Sequence, residues 1–191
     1  ELSRDLECAA ARLPPDLEIP IVLVADGAAW IWTTMAKAFP NGRQVLDYYH
    51  CAEHVWEVAN AQYEDPEESR EWAEATLVRL GQGWVSEVLG SLTRMKPKDA
   101  AAAELIPALR SYLAEHRDRF GYHELKEKSQ PRGSGGIESA NKYLVQTRLK
   151  RPGAWWLEEH GNGMLRIRCA LKNETFVKIF EIYMGLKNVS Q

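Results

Sequence analysis

The stretch from Ile19 to His50, IPIVLVADGAAWIWTTMAKAFPNGRQVLDYYH, decides the fold. It opens with an unbroken apolar run, Ile21 to Ala25, rich in β-branched residues and stopped by Asp26-Gly27. That is the pattern of a strand buried on both faces. Ile31, Met35, Ala38 and Phe39 then recur at helical intervals until Pro40-Asn41-Gly42 breaks the run. RQVLDYYH reads as a second short strand, and strand, helix and strand within about 30 residues predict a βαβ crossover with parallel strands. Parallel strands put their carboxyl ends at one edge, where open α/β sheets bind ligands. Asp26 and Asp47 both fall at that edge. A plainer reading also fits, in which Asp26-Gly27 is a turn signal and Asp47 a strand-end cap.

Working outward, residues 51 to 128 offer no convincing strand. CAEHVWEVANAQYE, EESREWAEATLVRLGQGWVSEVLGSLTRM and DAAAAELIPALRSYLAEHRDRF carry apolar residues at helical spacing, punctuated by Pro66, Gly81, Gly83, Pro97 and Gly121. The block is all helical. Between Glu53 and Glu74 it holds eight carboxylates against Arg70 alone, which reads as a solvated helix face.

From Ser129 onward the character changes. SQPRGSGG is a polar, flexible joint, and IESANKYLVQTRLKR a helix with an apolar stripe through Ile137, Ala140, Leu144 and Val145. Between Ser129 and Lys172 eight bases face three acids, whereas the whole chain carries a net charge of only -3. Such local asymmetry suits contact with a phosphate backbone, with Trp155 and Trp156 interleaved for stacking. A solvated helix with core tryptophans fits the same residues equally well. Further along, Gly161 and Gly163 each cost up to about 1 kcal/mol if they are helical, which predicts a weakened last helix.

The whole chain has 191 residues, 45% of them hydrophobic, enough for one ordinary core or a core with a helical appendage. Cys8, Cys51 and Cys169 are odd in number and far apart, and no signal-peptide-like or membrane-spanning run is evident. This predicts a soluble protein of a reducing, cytosolic-type compartment. ELSRDLECAAARL starts as if already inside a helix, which predicts a piece of something longer.

Three carboxylates can be grouped for chemistry: Asp26 and Asp47 at strand ends, and Glu138 at a helix start distant in sequence. Phosphodiester cleavage needs hard oxygen ligands of this kind for Mg²⁺. Glu138 fits such a site if its helix packs on the sheet, since it sits one residue past the Ile137 end of the stripe. His50 and His54 are four apart, but a zinc-protease motif needs Glu where Cys51 stands, and no third ligand is evident. His50 therefore reads either as an organiser of the Asp47 edge or as a hydrogen-bonded histidine at a helix start. A Gly-x-Ser-x-Gly elbow, a base for Cys51, a phosphate loop and a dinucleotide fingerprint are all missing.

At VLVADGAAWIWTTMAKAFPNGRQVLDYYHCAEHVWEVA together with GSGGIESANKYLVQTRLKRPGAWW, the chain closely resembles bacterial insertion-sequence transposases of the ISKra group, related to Mutator-like DDE transposases. The first block is similar to their strand ending in Asp, the helix ending in Phe-Pro, the second strand and an Asp-x-x-His motif. The second is similar to their Gly-x-x-Glu-Ser-x-Asn helix. The resemblance implies an α/β fold: a partial RNase H-like core, made of the βαβ unit and C-terminal helices, with a large all-helical insertion. Residues 1–50 would belong to the core, 51–128 to the insertion and 129–191 to the C-terminal helices. Asp26 and Glu138 match the second and third carboxylates of the DDE triad and would hold metal. Asp47 and His50 match an accessory motif, and an assignment counting Asp47 as a triad member stays open. The first aspartate and three strands would lie upstream of Glu1, so the isolated chain is expected to be inactive.

The expected function is thus Mg²⁺-dependent DNA cleavage and strand transfer by two metal ions, with Mn²⁺ as a substitute. Lys142, Arg148, Lys150, Arg151, Trp155 and Trp156 are the expected DNA contacts. The implied partners are the element ends, target DNA and further copies of the chain, in the bacterial cytoplasm and without a membrane. Two other readings stand beside it. One is a decayed transposase acting as a DNA-binding or oligomerisation module; the other is an unrelated phosphohydrolase using Asp26 and Asp47.

Overall fold

The computed structural model describes residues 2–11 and 20–185, so part of the predicted opening helix, Glu1, Arg12 and Leu13, lies outside the described residues. The chain is mostly helical with a small parallel sheet, α/β overall. It divides into two compact units, Glu1–Ser134 and Gly135–Gln191.

In the first unit, helix α1 (Leu2–Ala10) packs against α2. Strand β1 (Val22–Ala25), helix α2 (Ala29–Ala38) and strand β2 (Arg43–Leu46) form the predicted βαβ unit. The strands pair in parallel with Val22 opposite Arg43 and Ala25 opposite Leu46. Leu23 and Ala25 are buried, while Val22 and Val24 are only partly covered, because helices do not close over both faces of so small a sheet equally. The strand is buried on one face rather than two.

Helices α3 (Tyr48–Gln62), α4 (Pro66–Gly81), α5 (Val85–Arg94) and α6 (Ala100–Glu115) follow, then a 3₁₀ turn (Arg117–Arg119) and α7 (Tyr122–Glu127). The starts of α4 and α6 are capped by side chains. Asp65 accepts the N–H of Glu67 ahead of Pro66 in the first turn of α4, and Asp99 accepts that of Ala102. Each such cap contributes about 1 kcal/mol. The eight acidic residues between Glu53 and Glu74 all face water, as their spacing predicted.

One apolar core joins the sheet to the helices. Val45 and Leu46 of β2 are wholly buried with Val55 and Val58 of α3, Leu80 of α4, Val88 of α5 and Leu113 of α6. A Val or Leu side chain removed from water in this way contributes about 1.5 to 3 kcal/mol. The helical block is therefore packed into the same core as the strands. Its far end is also bonded to β2: Arg43 pairs with Glu124 at 2.8 Å, Arg119 donates to the Gln44 amide oxygen at 2.8 Å, and the Tyr122 hydroxyl donates to the Leu46 carbonyl at 2.9 Å.

The second unit runs through α8 (Gly135–Ala140), a widened π-helical segment (Asn141–Gln146), α9 (Thr147–Leu149), α10 (Glu158–Lys172) and α11 (Phe176–Tyr183). Helix α10 runs unbroken through Gly161 and Gly163, and Gly161 is buried beside Trp156. Gly163 is exposed, with open space where a side chain would stand. Ile137, the first residue of the predicted apolar stripe, is 74% exposed, so the stripe is not buried along its length. No helix among the described residues is long and apolar enough to cross a membrane.

Candidate metal and phosphate site

Asp26 and Asp47 stand at the carboxyl ends of β1 and β2. The ladder continues past both strands, because the Asp47 N–H donates to the Ala25 carbonyl at 2.7 Å. The two aspartates are therefore neighbours at one edge, as the sequence predicted, yet their environments differ sharply.

Asp26 is exposed. Its carboxylate accepts one N–H, from Ala28 at 3.1 Å, which turns the chain into α2. An ionised carboxylate has about four acceptor positions, so most of its capacity faces solvent. Its backbone is held more firmly. The Asp26 carbonyl accepts the Tyr112 hydroxyl of α6 at 3.2 Å, and Gly27 takes a φ of +111°, a region that glycine enters without strain.

Asp47 is wholly buried and saturated. One oxygen accepts the N–H groups of Tyr49 at 2.8 Å and His50 at 3.3 Å, capping α3, and the other accepts the backbone N–H of Ser134. Burial raises its pKa, but bonds from the Ser134 hydroxyl and from the backbone N–H groups of Ser134, His50 and Tyr49 outweigh that and hold it below the ordinary value of 3.8. Beside it, Tyr48 N–H donates to the Arg132 carbonyl at 2.9 Å, and the Arg132 guanidinium covers the Tyr48 ring at 4.7 Å. A Cβ on Gly133 would press on the Tyr49 ring, so a side chain here would displace that ring. Asp47 is thus a clamp that ties the Gly-rich joint to the start of α3. Where the sequence allowed a strand-end cap, the structure makes Asp47 the N-cap of α3.

His50 lies in the first turn of α3, with Nδ1 3.3 Å from a Glu53 carboxylate oxygen, and His54 has Nδ1 3.2 Å from Glu57. The two histidines thus each lean on an acid one turn along. Cys51, between them in sequence, is buried, with its thiol pushed up to about 12 by burial and by the charge of Asp47. That leaves the thiol a poor nucleophile.

The sequence reading missed Tyr112 and His116. Their i, i+4 spacing on α6 was a signal for one shared face, but nothing local says that the face meets the Asp26-Gly27 turn. His116 is buried, and burial together with the neighbouring Arg119 charge lowers its pKa. Also missed was a groove of about 420 Å³ at the start of α3, lined in part by Tyr48, His123, Lys126 and Arg132.

Glu138 lies in the second unit, in the first turn of α8, with an exposed side chain. Lys142 is exposed on the widened segment, and Arg148, Lys150 and Arg151 are exposed around the end of α9. Arg151 donates back to the Thr147 carbonyl at 3.0 Å. Trp155 is 97% exposed, whereas Trp156 is partly buried with no hydrogen-bond partner for its indole N–H. Arg168 is committed internally, donating to the Leu144 and Tyr143 carbonyls and lying 5.1 Å over the Tyr143 ring. It contributes to the basic balance of the segment without being a surface contact.

The chain matches no protein-family model, no curated protein and no solved structure.

Proposed function

We propose that the chain is the catalytic portion of a DDE-type DNA transposase that cleaves and joins DNA strands with Mg²⁺. The observation that carries this is the pair of strand-end aspartates, Asp26 exposed and open, Asp47 buried and saturated, at one edge of a parallel sheet. Such a division suits one carboxylate that ligates and one that organises. In this reading the βαβ unit is part of an RNase H-like core and the helical block is an insertion in it, as the resemblance to ISKra-group transposases implies.

The donor chemistry of Asp26 fits a hard cation: oxygen ligands, solvent access and acceptor positions to spare. Asp26 and Glu138 would hold the metal. Two Mg²⁺ ions, when bound, would polarise the scissile phosphate and stabilise the attacking and leaving oxygens. The chain's own residues do the rest. Asp47 fixes the joint ahead of Glu138, and His50 orients groups at the same corner. Lys142, Arg148, Lys150 and Arg151 neutralise backbone phosphates, and Trp155, with Trp156 beside it, offers a stacking face. Element ends and target DNA are the substrates, further copies of the chain the partners, and the bacterial cytoplasm the setting.

The second reading, a catalytically inactive DNA-binding or oligomerisation module from the same source, is favoured by α11. None of its residues is buried, and Val177, Ile179, Phe180 and Tyr183 are all exposed. One experiment separates the two. In the longest open reading frame containing the chain, Asp26→Asn and Glu138→Gln are expected to abolish Mg²⁺-dependent cleavage of the element ends while leaving salt-sensitive DNA binding in place. Cleavage surviving either change sinks the assignment. Binding by the wild type without cleavage under any metal favours the module.

A further inference from the structure

Helix α6 meets the Asp26-Gly27 turn with two side chains one helical turn apart. The Tyr112 hydroxyl donates to the Asp26 carbonyl at 3.2 Å. The His116 imidazole closes the other side, for a Cβ on Gly27 would stand 2.8 Å from its Nε2 and 3.2 Å from the Tyr112 ring. The two rings meet edge to face with centroids 5.0 Å apart.

His116 is itself held. Its Nδ1 lies 2.9 Å from an Arg119 guanidinium nitrogen, and a guanidinium has only donors, so Nδ1 accepts and the proton of the neutral ring sits on Nε2, the side facing Gly27. Arg119 is fixed from two directions, by its bond to Gln44 of β2 at 2.8 Å and by the Trp32 ring of α2 at 4.6 Å. A continuous path therefore runs from β2 and α2 through Arg119 and His116 to the turn. The restraint falls on the backbone of Asp26-Gly27, while the carboxylate keeps its acceptor positions open. Preorganising a ligand through its support while leaving its donor atoms available is what a metal site requires.

We infer that Tyr112, His116 and Arg119 are positioning residues, supplied by the helical block, that aim the Asp26 carboxylate at a divalent cation. This rests on the metal role proposed for Asp26 and adds what holds the backbone that carries its carboxylate.

The test uses the 191-residue chain, its backbone amide signals and Mn²⁺ alone as the probe. Mn²⁺ is expected to broaden the signals of Asp26, Gly27 and Ala28 at low concentration in the wild type. Tyr112→Phe keeps the ring and removes only the hydroxyl. It is expected to shift the Asp26 and Gly27 signals and to raise the Mn²⁺ concentration for half-broadening about 10-fold, the low end for a supporting residue. His116→Leu is expected to do the same, and His116→Gln, which retains an acceptor and an N–H donor, to recover most of the loss. A merely structural role would lower the melting temperature without moving the midpoint in the folded protein. Midpoints within about twofold of wild type in folded Tyr112→Phe and His116→Leu, short of the smallest supporting-residue effect, overturn the positioning role alone. Absence of broadening at Asp26 in the wild type overturns the metal role, and the positioning inference with it.

Discussion

Replacing Asp47 removes acceptors from backbone N–H groups at two places far apart in sequence. In Asp47→Ala the start of α3 loses its cap, at a cost of about 1 kcal/mol. The Ser134 N–H and hydroxyl lose a charged acceptor, and bonds to charged groups are each worth about 1.5 to 3 kcal/mol. Relief from burying the carboxylate offsets part of this, which leaves a net destabilisation of about 2 to 3 kcal/mol. For a chain of this size that lowers the melting temperature by about 4 to 12 °C. Asp47→Asn keeps one capping oxygen and presents an amide donor to the Ser134 N–H, so it is expected to fall between. The pH dependence adds a second signature. The folded pKa of Asp47 lies below its ordinary 3.8, so its contribution is fully present above that value and fades as pH falls through the folded pKa. Both variants should therefore lose less stability on acidification than the wild type. Urea unfolding followed by far-UV circular dichroism, at pH 7 and at steps down to about pH 3, measures both effects. An Asp47→Ala unfolding free energy within about 0.5 kcal/mol of wild type, with an unchanged acid limb, would refute the clamp.

Gly27→Ala combines a positive φ with a methyl group pressed on His116 and is expected to cost about 1 to 3 kcal/mol, read as a fall in melting temperature. Among the three thiols, Cys8 is exposed and should react with a thiol reagent at pH 8 in the native protein, while Cys51 should react only on unfolding. DNA binding by the basic segment should weaken steeply with salt, and charge removal at Lys150 or Arg151 should each reduce the slope of log K against log salt by about 0.7 to 0.9.

How far the sequence spoke for this structure depends on the range over which each signal acts. The run Ile21 to Ala25 and the break at Pro40-Asn41-Gly42 are local instructions, and each appears where its residues dictate; the caps at Asp65 and Asp99 are equally local but went unread. The shared edge of Asp26 and Asp47 was legible because parallel pairing follows from a strand, helix and strand in so short a span. The different fates of the two carboxylates were not, for Asp47 is decided by Ser134, 87 residues away. Tyr112 and His116 were hidden for the same reason. The widened turn at Asn141–Gln146 escaped too, because an apolar stripe read at a spacing of three and four does not separate an α-helix from a π-helical segment. Ile137 shows the opposite failure: an apolar residue in register with a stripe is no guarantee that anything covers it.

The bonds that finish the sheet edge have a consequence for the order in which the molecule is made. Asp26, Arg43, Gln44, Leu46 and Asp47 are tied to Tyr112, Glu124, Arg119, Tyr122 and Ser134, all separated by 75 to 87 residues. The helices between them can pair with sequence neighbours as they leave the ribosome, but this edge must wait for the chain to be synthesised through Ser134. Loop closure is then completed in a late, non-local step. A ribosome stalled after the last helix of the first unit has emerged, but before Ser134, would display the strands and helices with this edge unfinished. The surroundings of Asp47 would be complete only once the chain has emerged through Ser134.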